Sequence, residues 1–141
     1  MFRCRLFLII DVMAESPNKS PPVVLVVEDE LLPRMLAVEV VEEAGCVALE
    51  ACDADEAVAL LESRPDISVL FTDINMPGSM DGLKLAHAVR DRWPPIKILV
   101  VSGQVRLQQT DLPANSCFVG KPYRTASIVE ELHSLVGSPA L

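Results

Sequence analysis

Ile67-Ser68-Val69-Leu70-Phe71-Thr72 is a run of apolar and β-branched residues that ends abruptly in one carboxylate, Asp73, with Asn75-Met76-Pro77-Gly78 directly behind it. A short apolar run bounded by turn residues reads as a buried strand of a parallel sheet. Four further runs read the same way: Val23 to Val27, Cys46 to Ala51, Ile96 to Val101 and Cys117 to Val119. Between them the apolar period changes from two to about 3.6. Pro33 lies near the start of a first helix, where its missing N–H costs little. Leu32, Leu36, Val40 and Ala44 recur there at helical spacing, with Glu39, Glu42 and Glu43 elsewhere on the surface and Gly45 as a stop. Asp53 caps a second helix running to about Arg64, with Ala57, Leu60 and Leu61 inward. Asp81-Gly82 opens a third carrying Leu83, Leu85, Ala86 and Val89, which stops before Pro94-Pro95. A last helix spans about Thr125 to Val136, with Ile128, Val129, Leu132 and Leu135 inward. The polar stretch from Gln104 to Asn115 contains Pro113 and gives at most a short helix. Strands alternating with helices through five units predict an α/β fold, a doubly wound, five-stranded parallel sheet.

At 141 residues, the chain is one domain with one core. Half of it is hydrophobic and only 4% aromatic, so Val, Leu, Ala and Ile do the packing. The net charge of −8, with no cluster of Lys and Arg, argues against direct binding to nucleic acid. Cys4, Cys46, Cys52 and Cys117 have no metal-ligand spacing and read as small hydrophobes in a reducing compartment. His87 and His133 read as helix-surface histidines, and Trp93 as packing at a helix end. Met1-Phe2-Arg3-Cys4-Arg5 followed by Leu6 to Ile10 imitates an export signal. Its apolar run, however, is shorter than the roughly 7–15 residues such signals use, and far shorter than a membrane span. A start at Met13 is the simpler reading. The expectation is therefore a leader over 1–21, a domain over 22–138 and a tail over 139–141, in the cytoplasm and off the membrane.

In open parallel sheets the carboxyl ends of the strands face the ligand crevice. Asp73 ends one such strand, Glu28-Asp29-Glu30 follows another, Ser102-Gly103 a third and Lys121-Pro122 a fourth. Carboxylates crowded in one crevice repel each other, and the natural remedy is a divalent cation. All-oxygen ligands favour Mg²⁺. A metal-neutralised Asp is a competent nucleophile for phosphoryl transfer, through an aspartyl phosphate. The phosphoryl group spreads charge over three oxygens. The cation, Lys121, and Ser102 with nearby backbone N–H groups supply three partners.

Val-Val-Glu28-Asp29-Glu30, Thr72-Asp73-Ile74-Asn75-Met76-Pro77, Met80-Asp81-Gly82, Val-Ser102-Gly103 and Lys121-Pro122-Tyr123, in that order, resemble the receiver domain of two-component response regulators. The match covers about Val23 to Val136 and is closest to stand-alone, chemotaxis-regulator-like members with the flavodoxin-like (βα)5 fold. The resemblance implies that Asp73 accepts phosphate from a sensor histidine kinase or a histidine phosphotransfer protein. It implies that Asp29 binds Mg²⁺ directly, Glu28 directly or through water, and Asn75 through its backbone carbonyl. Ser102 would be the hydroxyl that moves toward the phosphoryl group, Lys121 its ion partner and Phe118 the aromatic switch residue. The Lys121–Pro122 bond is expected cis. Three departures stand out. The loop after Asp73 is about one residue longer than usual, the Ser102–Lys121 segment is short, and Phe118 lacks the hydroxyl of the commoner tyrosine.

Each of these residues also has a plain structural reading. Asp73 can be a turn former, Glu28-Asp29-Glu30 a solvated run capping a helix (with Glu30 at the surface in either case), and Lys121 an exposed lysine. Ser102 can be a strand-end hydroxyl, and Phe118 simply core. Three functions follow. The first is a phosphorylation switch, not a turnover enzyme, that alters its binding to an unidentified downstream protein. The second is a phosphatase of the haloacid-dehalogenase type, although Asn75 stands where that family wants a second Asp. The third is a binding module that works without phosphorylation.

Overall fold

The computed structural model describes residues 20–103 and 109–137. Most of the expected leader, the tail 139–141, Cys4 and the first residues of the Gln104–Asn115 stretch lie outside the described residues. Five strands form one parallel sheet: β1 (Val23–Val27), β2 (Val47–Ala51), β3 (Ile67–Asp73), β4 (Lys97–Ser102) and β5 (Ser116–Gly120). Their spatial order is β2-β1-β3-β4-β5. Among the described residues four α-helices cover it: α1 (Leu31–Glu43), α2 (Ala54–Ser63), α3 (Gly82–Arg92) and α4 (Thr125–Val136).

Alternation along the strands sorts the core into two layers. Leu25, Leu70, Ile98 and Val100 pack under α2 and α3, while Val26, Phe71, Leu99 and Val101 pack under α1 and α4. All eight are at most 3% exposed, and burying side chains of this size stabilises by roughly 1.5–3 kcal/mol each. A one-residue bulge at Ser68 shifts β3 against β1, which pairs Val23 with Ile67 but Val24 with Val69.

The helix ends follow their local chemistry. The Asp53 carboxylate accepts from the Glu56 amide at 2.8 Å, and the Glu56 carboxylate accepts from the Cys52 amide at 2.8 Å. Two orphan donors are thereby satisfied at the start of α2. Asp81 caps α3 through the Lys84 amide at 2.9 Å. Gly45 takes φ +85° after α1, a conformation glycine adopts without steric cost.

One expectation about α1 fails. Leu32 and Leu36 are 74% and 50% exposed, and the buried line is Ala37, Val40, Val41 and Ala44. The helix is apolar on most sides, so two different arcs satisfy the helical period, and the smaller residues face the sheet. In the other helices the inward residues are buried or half-buried as expected, with Leu60, Leu83, Val129 and Leu135 only partly covered.

Among the described residues the β4–β5 connection holds one 3₁₀ turn, Gln109–Asp111, in place of a helix. Side chains of α3 hold this connection down. The Arg90 guanidinium donates to the carbonyls of Ala114 (2.8 Å), Asn115 (3.2 Å), Pro94 (2.7 Å) and Ile96 (3.1 Å). The His87 ring lies 2.8 Å from the Asp111 carbonyl. His133 likewise meets the Ala44 carbonyl at 3.0 Å, so both histidines serve packing contacts. The lengthened loop after β3 turns at Gly78 (φ +115°), and its Ser79 hydroxyl donates to Asp55 at 2.8 Å.

Candidate functional site

β1 connects to β2 on one side and the chain returns to β3 on the other, which opens a crevice beyond the strand ends. Asp73 is the last residue of β3, and Glu28 and Asp29 follow β1 immediately. Ser102 ends β4 opposite Gly120 of β5, and the Lys121 amide donates to the Ser102 carbonyl at 2.8 Å. The sheet register alone thus brings two acids, a hydroxyl and an ammonium to the end of the Asp73 strand.

At the centre the Lys121 ammonium donates to Glu28 Oε1 and Asp73 Oδ2, both at 3.1 Å. The Glu28 and Asp73 side chains are only 6% and 9% exposed, against 28% for Lys121. Glu28 Oε2 accepts from the Glu30 amide at 3.2 Å, and Asp73 Oδ1 from the Asn75 amide at 3.4 Å. Burial pushes the Glu28 carboxyl above its ordinary pKa. The Glu30 amide and the Lys121 ammonium oppose the rise, and the charge of Asp73 adds to it. Burial by itself would lower the Lys121 pKa, but Glu28 and Asp73 outweigh it and hold the ammonium above its usual value.

Glu28, Asp29 and Asp73 offer one carboxylate oxygen each, all within 4.8 Å of one another. Two of the three are buried. A close all-oxygen donor set of this kind, with a single ammonium against three negative charges, suits a hard divalent cation. The cluster fits Mg²⁺ by its chemistry.

The remaining expected residues fall as follows. Ser102 is buried at the end of β4, and Asn75 is exposed in the loop after β3. Phe118 pairs with Val100 and packs half-buried on the α2/α3 side of the sheet. The Lys121–Pro122 peptide is cis.

Three further residues support the site without having been given a role in it from the sequence. Arg34 of α1 donates to the Glu28 carbonyl at 2.9 Å and to the Glu50 carboxylate at 3.1 Å, which fixes the backbone beside the acids. Gly82 lies against β3: its amide donates to the Ile74 carbonyl at 2.8 Å, and a Cβ there would overlap the Asp73 carbonyl oxygen. Tyr123 packs its ring 6.4 Å from that of Phe71 behind Lys121. Position 82 carried a signal, as a Gly behind a capping Asp. Arg34 carried none, because its partners, the Glu28 carbonyl and the Glu50 carboxylate, are met only in the folded chain.

A family model for the response regulator receiver domain matches residues 24–133. The response regulator receiver protein CpdR of Brucella abortus is 28% identical over 80% of this chain and 95% of its own length. The sensor kinase CckA of the same organism is 33% identical over 77% of this chain, which spans only 12% of that larger protein. A crystal structure of a response regulator receiver protein from Pseudomonas putida superposes with a TM-score of 0.72 at 27% identity, covering 82% of this chain and 98% of that one. With its fold, the acids at its strand ends and this match in agreement, the chain belongs to the receiver domain family of two-component response regulators, a family of signalling domains.

Proposed function

We propose that this chain is a single phosphoacceptor domain over residues 22–138 in which Asp73 takes a phosphoryl group from a phosphohistidine on a sensor kinase or phosphotransfer protein. The observation that carries this reading is the Lys121 ammonium held 3.1 Å from both Glu28 and Asp73 inside a three-carboxylate cluster. An Asp73 oxygen attacks phosphorus, the P–N bond breaks, and its electron pair leaves with the imidazole. Glu28, Asp29, Asp73 and the backbone carbonyl of Asn75 would hold Mg²⁺. The ion supplies charge neutralisation among the acids and on the phosphoryl oxygens.

Lys121 exchanges its bond to Asp73 for one to a phosphoryl oxygen. Ser102, at the neighbouring strand end, offers its hydroxyl to another. The new group brings about −1.5 to −2 charge, and the responses of Ser102 and of the half-buried Phe118 reshape the surface that a downstream protein reads. The work of the domain is signalling in the cytoplasm without nucleic acid. No helix among the described residues is long and apolar enough to cross a membrane.

Incubation with Mg²⁺ and acetyl phosphate tests the reading. One phosphoryl group per chain, absent without Mg²⁺ and absent in Asp73→Asn, is the expected result. Continuous release of phosphate with no accumulating adduct would reassign the chain to phosphatase chemistry. An inert protein would leave a module that binds without phosphorylation.

A further inference from the structure

Beside the acids the molecule holds a cavity of about 520 Å³, within the range of roughly 300–1,000 Å³ typical of small-molecule sites. It exists because the residues of α1 that face the sheet there, Pro33 and Ala37, are short, while Leu32 and Leu36 stand at its mouth and remain half or more exposed. Phe71 and Tyr123 form apolar walls. Glu28, Asp73 and Lys121 supply the charged part of the lining. Two nearly buried carboxylates and one ammonium leave one negative charge of the lining uncompensated among otherwise largely apolar walls.

We propose that this cavity is a binding site for a small amphipathic organic cation. The apolar body lies between the first turns of α1 and Tyr123, and the cationic group meets Glu28 and Asp73. Lys121 demonstrates the geometry, since its own ammonium already sits 3.1 Å from both acids. In the metal-free protein an anion would add further uncompensated negative charge at the same place and is disfavoured on that ground. Because Glu28 and Asp73 are also the carboxylates proposed to hold Mg²⁺, cation and metal contend for them, and an occupied cavity depresses phosphorylation of Asp73. This last consequence rests on the phosphoacceptor reading; the binding site itself does not.

Tyr123 is the chain's one tyrosine, so its ring resonances report occupancy of the cavity directly. Metal-free protein is titrated by NMR with three probes of one skeleton: 2-(1-naphthyl)ethylamine, 2-(1-naphthyl)ethanol and 1-naphthylacetate. The amine is expected to shift Tyr123 at about tenfold lower concentration than the alcohol, through its charge, and the acetate is expected to leave it unmoved. Saturating Mg²⁺ should weaken the amine and not the alcohol. Ala37→Leu fills the chamber and should abolish the shift, with Ala37→Met as a second filling variant if the first fails to fold. Equal binding of all three probes, tightest binding by the acetate, or an unmoved Tyr123 overturns the proposal. A separate titration with Mg²⁺ alone keeps the two readings apart: amine binding without any Mg²⁺ binding would support the cavity and reject the phosphoacceptor reading.

Discussion

Replacing Lys121 by Met keeps the length and packing of the side chain but deletes the cation that faces two nearly buried carboxylates. Breaking a buried ion pair by removing one partner costs roughly 3–5 kcal/mol. Here two features reduce the loss. The Lys121 side chain is 28% exposed, so solvent screens part of the interaction. Glu28, whose carboxyl is already held above its ordinary pKa by burial, can also take up a proton, which limits the penalty further. A destabilisation of about 2 kcal/mol follows, or roughly 8 °C in Tm for a domain of this size. The sign of its pH dependence is fixed as well: the loss shrinks as pH falls, because a protonated Glu28 no longer needs the ammonium. Mg²⁺ at millimolar concentration should recover most of the lost stability by compensating the same carboxylates. Urea melts of both proteins at pH 5 and 7, with and without Mg²⁺, make the measurement. A variant as stable as the parent in metal-free buffer at pH 7 would refute the argument that Lys121 neutralises this pair.

Gly82→Ala drives a methyl group into the Asp73 carbonyl; the displaced acceptor should phosphorylate about 10²-fold more slowly, and an unchanged rate with acetyl phosphate would disprove the close approach. Arg90→Met removes the guanidinium from four carbonyls, two in the β4–β5 connection and two just before β4, and should cost about 1–2 kcal/mol in denaturant melts. Arg90→Lys should recover little of it, because an ammonium lacks the planar fork. In metal-free buffer the raised pKa of Glu28 means that the folded chain binds its proton more readily than the unfolded chain. Stability should therefore fall as pH rises from the ordinary value of 4.5 through the raised one; Glu28→Gln should flatten that slope, and an unaltered slope would count against the burial of this acid.

The sheet and its acidic edge were legible because their signals are local. The run Ile67 to Asp73 carries its own strand pattern and its own carboxylate, and the parallel register does the rest: Val101 pairs with Asp73 and Gly120 with Ser102. Bringing Lys121 to Glu28 across 93 positions of sequence needs nothing beyond that register. Helix α1 was legible as a helix but not in its orientation. With apolar residues on most sides, its period does not choose between the Leu32/Leu36 arc and the Ala37/Val41 arc. The sheet chooses the smaller side chains, and the cavity next to Asp73 is a consequence that no sequence pattern announces. Arg34 escapes for a related reason, since the Glu28 carbonyl and Glu50 carboxylate that it holds come within its reach only in the folded chain. The short β4–β5 connection was visible in its length and in Pro113, whereas the Arg90 clamp that holds it was not.

The phosphoacceptor reading stands on Asp73 being the modified residue. Treating the Mg²⁺- and acetyl phosphate-loaded protein with borohydride reduces an acyl phosphate to the corresponding alcohol, which peptide mass spectrometry then locates. One reduced side chain, at position 73, is expected in every phosphorylated molecule. Reduction at any other carboxylate, or a phosphorylated protein with position 73 untouched, would contradict it.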